Sequence, residues 1–424
     1  MATQFLPPPI PPPAAPAAAG HVERVPRQRP APLSAARSGP ASGAAPALAV
    51  RPIDEARHLA FLLAADPEHV SFLQTPAWGR VKTAWRALSL GWFEGERLAG
   101  TALVLLRDLP RVPLLGLRSL AYIPEGPTVD WFGGGRRAAD WLDPLVAHLR
   151  ASGVFSIKLG PKLIGRSWDA SAVRAGMADP AVAAFADLPA EKAAPQARRL
   201  VEELRALGWR RRTGAEQGIA DVQPRHFLRV PLAGRDEAAV FAGCAAQWRR
   251  NVRVAERAGV RVWRASAAEL PAFHAMHLET ARRDRFLPRP LAYFEGLFRE
   301  LLAVEPDAVR LYFAGADGVP AAGAAMIRFG RHAWFGYGAS TTAQRELRAS
   351  NALQWRMIRD CLADGMDVYD LRGVGETLDP AHPLFGLLRF KAGTGGEIVE
   401  YPGEYDLALR RPLALALRIY LRHR

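Results

Sequence analysis

The chain has 424 residues, of which 49% are hydrophobic and 23% charged, so it is long enough for two globular domains with substantial cores. Its formal net charge of +14 favours a polyanionic partner, which could be nucleic acid, nucleotide phosphates or an anionic membrane surface. The two cysteines, Cys244 and Cys361, lie far apart and outside any CxxC pattern, which argues against a zinc site or a disulfide framework and fits a reducing compartment. No stretch approaches the roughly 20 apolar residues of a membrane-spanning helix, and no secretory signal is evident, so a cytoplasmic protein is predicted.

Residues 1–47 are rich in proline and alanine and contain almost no aromatic side chains. A segment of this composition buries too little surface to offset the entropy of ordering, which predicts a disordered tail. Because the tail also carries arginines, a basic tether for an anion is the alternative.

The first folded region is predicted to contain a helix that starts at Thr75 and carries a buried stripe formed by Trp78, Val81 and Trp85. Lys82 projects beside this stripe. The other elements predicted in this region are a helix at 54–65, a strand at 70–74, a hairpin at 87–93 and 98–106, strands at 117–123 and 154–160, a helix at 136–151 and a mostly helical segment at 178–209.

The second region opens with a predicted strand at 226–230 and a helix through 247–258. Arg249, Arg253 and Arg257 recur every four residues along this helix, beside its apolar face. Such a stripe is usually a solvated basic face of the helix, and the functional alternative is that it binds a phosphate backbone.

Arg289 precedes Pro290, a residue typical of the first turn of a helix, and Tyr293 follows one turn later. An arginine at a helix N-terminus adds its guanidinium donors to unpaired backbone N–H groups, a combination that suits an anion. The hairpin pattern of the first region then returns at 309–314 and 322–329, which suggests two copies of one α/β unit. The remaining predicted elements are a helix at 349–364, a strand at 368–371 and a last helix at 412–421, with a membrane-surface role as the alternative for that helix.

The segment 387–401 contains an aromatic–lysine pair, Phe390 and Lys391, followed by a glycine-rich turn and a predicted strand. Only five of the 56 basic residues are lysines, so a lysine here indicates a need for a compact, mobile charge. The glycines at 393, 395 and 396 allow positive φ and close approach of a ligand or of a neighbouring strand. A solvated loop lysine before a hairpin is the alternative.

Six short motifs follow one another along the chain, at 74–82, 122–130, 247–260, 337–340, 369–373 and 389–396. They include Gln-Trp-Arg-Arg-Asn-Val-Arg from 247, Tyr-Asp-Leu-Arg-Gly from 369 and Arg-Phe-Lys from 389. In these segments the sequence resembles the FemABX-type family of peptidoglycan interpeptide-bridge aminoacyltransferases. The resemblance extends over roughly residues 70–410, nearly all of the folded chain.

The resemblance implies an α/β protein with two tandem GNAT-like domains built on mixed central sheets, at 48–220 and 221–403, with 404–424 packing back on the first. It implies transfer of an amino acid from aminoacyl-tRNA to the stem-peptide amine of a peptidoglycan precursor, either the UDP-linked muropeptide or its lipid-linked form. Aminoacyl-tRNA is then a co-substrate, and no cofactor, metal or nucleotide hydrolysis is expected. A monomer that contacts the inner face of the plasma membrane peripherally is expected.

Residue by residue, the resemblance implies that Lys82 and Arg289 hold the phosphates of the precursor. Tyr293 and Tyr337 match substrate-contacting tyrosines of the family, and Tyr122 is a further substrate-binding candidate.

Phe390 and Lys391 match the pair that meets the tRNA end and the reacting carbonyl, and the arginine stripe Arg249, Arg253 and Arg257 is the tRNA-contact candidate. Thr394 departs from the family, which usually has an aromatic residue at that position. The sequence also lacks a long helical-hairpin insertion in its second domain.

An amino acid esterified to tRNA is already activated, so the enzyme must chiefly orient the amine and stabilise the developing oxyanion. Lys391 suits the second task through charge-assisted hydrogen bonding. Asp130 is a candidate base and substrate-binding residue, with a turn-capping role as the alternative, and substrate-assisted transfer remains open. Asp370 is interpreted as a structural carboxylate at a strand end, while His274 and His277 lack a third metal ligand.

Two other functions are compatible with the pattern. An acyl-CoA-dependent N-acyltransferase would share the fold, but residues 344–350 lack the glycines that expose the backbone to the CoA pyrophosphate. A basic RNA-binding module would explain the net charge but not the apolar patterning around Lys82, Tyr337 and Lys391.

Overall fold

The structure is a computed structural model, and it describes residues 46–109, 118–211 and 223–415. Residues 45–424 form one compact unit. The predicted tail at 1–47 lies almost entirely outside the described residues, as does the greater part of the helix predicted at 412–421. Within the described ranges, no helix is both long enough and apolar enough to cross a bilayer.

The α-helices of the described residues alternate with strands along both halves of the chain. They are α1 (Glu55–Ala64), α2 (Pro76–Val81), α3 (Ala138–Ala151), α4 (Ala170–Gly176), α5 (Pro195–Ala206), α6 (Glu237–Gly243), α7 (Ala246–Arg257), α8 (Leu270–Asp284), α9 (Leu291–Leu302), α10 (Ala349–Ala363) and α11 (Phe385–Ala392).

The strands form two separate sheets. They are β1 (Ala49–Pro52), β2 (Arg86–Glu94), β3 (Arg97–Asp108), β4 (Ser119–Ile123), β5 (Thr128–Val129), β6 (Val154–Leu159), β7 (Arg166–Asp169), β8 (Lys192–Ala193), β9 (Arg210–Arg211), β10 (His226–Pro231), β11 (Arg261–Ala265), β12 (Val309–Ala316), β13 (Val319–Phe329), β14 (His332–Ser340), β15 (Val368–Val374), β16 (Glu397–Glu400) and β17 (Tyr405–Ala408). The first sheet has the order β1-β2-β3-β4-β6-β17-β9, with β5 paired to β3, and the second has the order β11-β12-β13-β14-β15-β10-β16-β7-β8.

Both sheets are mixed in the same way. A run of antiparallel neighbours, β2-β3-β4 in the first and β12-β13-β14 in the second, is followed by one parallel pair, β4 with β6 or β14 with β15. A parallel pair needs a crossover connection, and α3 and α10 supply it in the two halves. The predicted repeat of one α/β unit is therefore present in the topology, and the predicted fold class is confirmed.

The two halves exchange strands. β7 and β8, which precede residue 220, pair within the second sheet through β16, whereas β17 pairs with β6 and β9 in the first. The predicted division at residue 220 therefore differs from the division of strands between the sheets. The cause is long-range pairing of short strands, which local sequence does not encode.

A hydrophobic core also crosses between the halves. One buried cluster joins Phe72 and Trp78 of the first half to Phe294 and Trp334 of the second. The Phe72 ring lies 5.2 Å from that of Trp78 and 5.1 Å from that of Trp334, in edge-on geometry in both cases. This packing fixes α2 against α9 and so sets the position of the side chains at their ends.

Three local predictions were wrong. The strand predicted at 70–74 is a short 3₁₀ helix, Phe72–Gln74, because the Ser71 hydroxyl accepts from the backbone N–H of Leu73 and the Gln74 side-chain oxygen accepts from the backbone N–H of Ser71. The helix predicted through Trp85 ends at Val81. The segment 178–209 is helical chiefly in α5, because prolines interrupt it earlier.

Candidate active site

The two parallel strands of the second sheet separate at their carboxyl ends. β14 pairs with β15 only from His332 to Trp334, opposite Val368 to Asp370. Beyond this point β14 continues along β13, while β15 pairs with β10. The chemistry-bearing residues of the second half, among them Tyr337 and Lys391, lie on or beside these diverging ends.

Lys82 and Arg289 meet over one aromatic ring. Lys82 caps the C-terminus of α2, and its Nζ lies 4.2 Å from the ring of Trp78 and 5.4 Å from that of Tyr293. Arg289 stands just before α9, with its guanidinium carbon 5.2 Å from the ring of Tyr293. Cations placed in this way are attracted by the negative face of the ring. The structure therefore brings together the two residues that the sequence analysis paired, and their role in holding phosphates stays a prediction.

Lys82 and Arg289 have no carboxylate partner in the part of the chain that the structure describes: none of its Asp or Glu side chains lies within ion-pair distance of either residue. Burial, together with the neighbouring Arg289, lowers the pKa of Lys82 to about 8. Two adjacent cations without a carboxylate form a site for an anionic group such as a phosphate.

Two tyrosines lie beside the cation pair. The hydroxyls of Tyr293 on α9 and Tyr337 on β14 are 2.6 Å apart and share a hydrogen bond. Burial raises the pKa of both phenols, and for Tyr293 the facing Tyr337 raises it further. Both therefore stay neutral, so one hydroxyl of the pair can donate a hydrogen bond to a ligand while the other accepts.

Lys391 is buried, not solvated. It lies in the last turn of α11, is 5% exposed, and its Nζ donates to the carbonyl oxygen of Gly373 at 2.7 Å. Burial lowers its pKa to about 8, although the nearby Asp370 opposes the change. An ammonium carries three N–H donors, and Gly373 uses one. The alternative of a solvated loop lysine is wrong.

Asp370 and Arg372 both interact electrostatically with the Lys391 ammonium. Asp370 is 1% exposed and accepts a hydrogen bond from the backbone N–H of Arg372 at 2.5 Å. Its Oδ2 lies 3.6 Å from Nε2 of His332. Burial alone would raise the pKa of Asp370, but His332 and Arg372 hold it below its usual value. A carboxylate is thus kept ionised beside Lys391, which favours the protonated form of the lysine.

Arg372 connects this cluster to the first half of the chain. It adopts a left-handed backbone conformation with φ of 63°. Its guanidinium donates to Glu125 at 3.0 Å and to Gln223 at 2.7 Å. Tyr122, also at this boundary, is buried, and its hydroxyl donates to Glu404 at 2.7 Å. The role predicted for Tyr122 remains a prediction, and its ring belongs to the same buried cluster as Trp78.

Other predicted residues lie elsewhere. Asp130 is exposed and accepts from the backbone N–H of Gly133 at 2.9 Å, which is the turn-capping contact. Arg249 donates to the carbonyl of Ala242 at 2.8 Å and so closes the loop before α7.

Arg253 and Arg257 are exposed farther along α7. Phe390 is half-buried on α11, next to Lys391. Nothing in these positions tests the predicted contacts with tRNA.

The glycines after Lys391 are required for two different reasons. Gly393 ends α11 with φ of −64° and is needed for close approach, since a Cβ would lie 2.6 Å from the Trp248 ring. Gly395 and Gly396 have φ of 79° and 76°. A Cβ on Gly396 would lie 2.1 Å from the carbonyl oxygen of Arg229, so a side chain cannot be accommodated.

No role was predicted for Arg372 or for the carbonyl of Gly373. Both occur in the segment 369–373, one of the motifs that carry the family resemblance, and that resemblance is the signal that could have identified them. Cys244 and Cys361 are both buried free thiols, as expected for small hydrophobic side chains. No group of three metal-binding side chains occurs in the described part of the chain.

Comparison with known proteins shows which family the chain belongs to. A model of the FemAB family matches residues 56–301 and 307–421. The chain belongs to the FemAB family. Similar curated proteins include the lipid II:glycine glycyltransferases of Staphylococcus saprophyticus, at 22% identity over 80% of this chain and 89% of that protein, and of Staphylococcus haemolyticus, at 21% identity over 80% and 88%.

Among solved structures, the crystal structure of FemX is similar to this FemAB protein, with a TM-score of 0.70 and 20% identity over 87% of this chain and 99% of that one. A tandem GNAT protein from the clavulanic acid biosynthesis pathway is a more distant neighbour, with a TM-score of 0.47 and 13% identity over 85% of this chain and 98% of that one. The likeness to FemX shows a shared fold, which in this chain consists of two mixed α/β halves with the same strand pattern.

Proposed function

We propose that this FemAB protein is an aminoacyltransferase that moves an amino acid from aminoacyl-tRNA to the stem-peptide amine of a peptidoglycan precursor. The observation that carries the proposal is the cation pair Lys82 and Arg289, which has no carboxylate partner among the described residues and shares the ring of Tyr293. A cell-wall precursor carries a pyrophosphate, and its two negative charges complement this pair. The names of the glycyltransferase relatives also support the proposal.

The reaction is a transfer between an ester and an amine. The amine nitrogen attacks the ester carbonyl, the C–N bond forms and the ester C–O bond breaks, and the tRNA 3′ oxygen leaves with a proton that the amine has lost. Because the ester is activated, orientation and stabilisation of the oxyanion account for most of the required acceleration. The proton can pass from the amine to the leaving oxygen within the substrates, so no protein base is required.

Lys391 is the proposed oxyanion donor. Its hydrogen bond to the Gly373 carbonyl holds the ammonium in place and leaves N–H groups for the developing negative charge. The ionised Asp370 nearby keeps it protonated. Such a preorganised donor in a buried site is worth about 2.7–4 kcal/mol of barrier. Phe390, on the same helix, is the proposed contact for the tRNA terminus.

The acceptor is proposed to be the lipid-linked precursor, reached by peripheral contact with the membrane. The loop between α8 and α9 begins at Arg285 and presents Leu287, which is 93% exposed, and Phe286, which is 41% exposed. Arg289 ends this loop at the proposed phosphate site. Apolar tips flanked by arginines suit the interface of an anionic bilayer, and this loop would present the site to the headgroup region.

A donor-exchange assay tests the proposed reaction. Purified protein is mixed with precursor and with either radiolabelled aminoacyl-tRNA or radiolabelled acetyl-CoA, and label in the precursor is counted. Label should arrive from aminoacyl-tRNA alone, and Arg289→Ala should raise the KM for the precursor. Transfer from acetyl-CoA instead would refute the tRNA-dependent reaction and favour the N-acyltransferase alternative.

Vesicle flotation tests the membrane contact. Wild-type protein should float with vesicles rich in phosphatidylglycerol and much less with neutral phosphatidylcholine vesicles. Leu287→Glu should lose this flotation and raise the KM for lipid-linked precursor while leaving the KM for the UDP-linked form unchanged. Equal flotation of the variant would show that the loop does not contact the bilayer.

A further inference from the structure

The turn that follows Lys391 is held by residues 166–176, the exchanged segment that forms β7 and α4. β7 pairs with β16, the strand that the turn enters. The first backbone N–H of α4, from Ala170, donates to the carbonyl oxygen of Gly396 at 2.9 Å. Arg174, in the last turn of α4, donates from Nη1 to the carbonyl oxygen of Ala392 at 2.6 Å. A segment from the first half of the chain therefore bonds both ends of this turn.

The Ala392 carbonyl belongs to the last residue of α11, directly after Lys391. At the C-terminus of a helix, carbonyl groups lack their usual intrahelical donors and carry the negative end of the helix dipole. The backbone N–H of Gly395 also donates to this carbonyl, at the longer distance of 3.3 Å. Arg174 adds a shorter, charge-assisted bond and a positive charge that complements the dipole.

The neighbouring carbonyls of the turn are bonded by groups that belong to the backbone or to the core. The Thr394 hydroxyl donates to the carbonyl oxygen of Lys391 at 2.7 Å, and the backbone N–H of Ala245 donates to that of Gly393 at 2.9 Å. Thr394 is 1% exposed, whereas Arg174 is half-buried. The Arg174 bond can therefore be removed by a substitution that leaves the core and the backbone in place.

Arg174 acts on Lys391 through the backbone and not through its charge. The charged groups that shift the pKa of Lys391 are Asp370 and Arg372. The direction of a helical side chain is set by the backbone of its own turn. The Lys391 Nζ lies 2.7 Å from the carbonyl oxygen of Gly373, and a bond of this kind weakens beyond about 3.2 Å. A small displacement of the last turn of α11 would therefore break this bond and admit water to the ammonium.

We propose that Arg174 is a positioning residue for Lys391: its bond to the Ala392 carbonyl holds the last turn of α11, so that the ammonium stays buried against the Gly373 carbonyl. The proposal rests on the proposed function for the part that Lys391 plays in transfer. It also gives the exchange of β7 and α4 a consequence for the reaction, because a residue from the first half of the chain aligns a group in the second.

Titration of the Lys391 ammonium tests this position without requiring transfer. The chain contains five lysines, so full-length protein labelled with ¹³C at lysine Cε gives few NMR signals, and Lys391→Met identifies that of Lys391. The wild-type midpoint should lie at the pKa of about 8. In Arg174→Met it should rise by roughly 1 pH unit or more, towards the ordinary lysine value of about 10.4, because a less buried ammonium holds its proton more tightly.

Steady-state transfer measures the consequence for the reaction. Arg174→Met should lower kcat about tenfold, since a small misplacement of a reacting group is costly. The KM for each substrate should stay within about twofold, because ground-state binding is not altered. The fall of kcat at high pH should move upward together with the NMR midpoint.

Two further variants serve as controls. Arg174→Lys keeps a charged donor at the end of α11, so it should recover most of kcat and of the wild-type midpoint. Arg210 makes the same kind of contact elsewhere, donating to the carbonyl oxygen of Arg205 at 3.1 Å at the end of α5, a helix that carries none of the candidate site residues. Arg210→Met should change neither kcat nor the midpoint, and thermal melting checks that every variant is folded.

An unchanged midpoint in Arg174→Met overturns the proposal, whether or not kcat falls, because the ammonium would then keep its place without this bond. An equal fall of kcat in Arg210→Met also overturns it, since the effect would then be a general loss of stability. A shifted midpoint with an unchanged kcat, or in a protein whose wild type transfers nothing, would retain the positioning of Lys391 and refute its proposed part in transfer.

Discussion

At the residue scale, burial determines the pKa of Lys391 and the strength of its electrostatic interactions. A lysine that is 5% exposed cannot keep its ammonium without local support, which the Gly373 carbonyl and the nearby Asp370 provide. The same burial makes the charge effective, because electrostatic interactions are stronger away from water. The cost of holding this charge is a sign of a functional group.

Replacement of Lys391 by methionine should separate function from stability. Lys391→Met keeps the volume of the side chain but removes the charge, so kcat should fall by about 10²–10³. Loss of the bond to Gly373 is offset by relief of the buried charge, so the free energy of unfolding should stay the same or rise by up to about 2 kcal/mol. Steady-state kinetics and urea unfolding measure the two effects.

The exposed Lys192 provides the control, since Lys192→Met should change neither quantity. A large drop in stability with Lys391→Met would contradict the assignment, because it would make the ammonium a structural donor.

The pH dependence of kcat should report the same group. Because the pKa of Lys391 is lowered to about 8, the charged form predominates below that pH and is lost above it, so kcat should fall as pH rises past about 8. The unfolded chain holds this proton more tightly, so stability should rise between pH 8 and the ordinary lysine pKa of about 10.4. Initial rates and unfolding free energies across pH 6–10 measure both.

Lys391→Arg stays charged throughout this range, and its residual kcat should show no fall above pH 8. A wild-type kcat that stays level to pH 10 would exclude the Lys391 ammonium as the required acid form.

At the scale of elements, the turn after α11 has the strictest requirements. It must leave the helix at Gly393 against Trp248 and then enter β16 through two residues in left-handed conformation. Each of these glycines removes a different clash, and together they fix the direction in which Lys391 projects from the helix. Local glycine spacing therefore helps to determine the position of Lys391.

Gly396→Ala should destabilise the protein strongly. A Cβ at this position lies 2.1 Å from a carbonyl oxygen and demands positive φ, which costs about 1–2 kcal/mol for the conformation alone and more for the clash. Gly386 lies inside α11 with no heavy atom within 4 Å of its built Cβ. Gly386→Ala should therefore stabilise the helix by about 0.5–1 kcal/mol. Chemical denaturation of both variants measures the difference, and equal effects of the two substitutions would contradict this account.

At the scale of the whole molecule, the two halves behave as one structure. They exchange strands, share a hydrophobic core through Phe72 and Trp334, and are joined by the ion pair of Arg372 with Glu125. Lys82 and Arg289 come together where the end of α2 in one half meets the start of α9 in the other, so neither half alone contains both residues.

Phe72→Ala should lower the stability of both halves together. The side chain is 4% exposed and contacts aromatic rings from each half, so its loss should cost about 3–5 kcal/mol. Differential scanning calorimetry should show one transition at a lower Tm. Leu287→Ala, at a side chain 93% exposed, is the control and should change stability by less than about 0.5 kcal/mol. A transition that splits in two would contradict the shared core.

The sequence by itself determined the fold class and the repeated α/β unit, and it named Lys82, Arg289, Tyr293 and Tyr337, which the structure brings together. Helix starts at Thr75 and Pro290, hydrophobic periodicity and glycine positions are local signals, and the ordered motifs pointed to the family. Tertiary structure alone decided the exchange of β7, β8 and β17 between the sheets, the burial of Lys391 and the roles of Arg372 and the Gly373 carbonyl. These features depend on which distant segments of the chain contact each other. The free energy of such contacts comes from packing and desolvation, which cannot be predicted from the spacing of neighbouring residues.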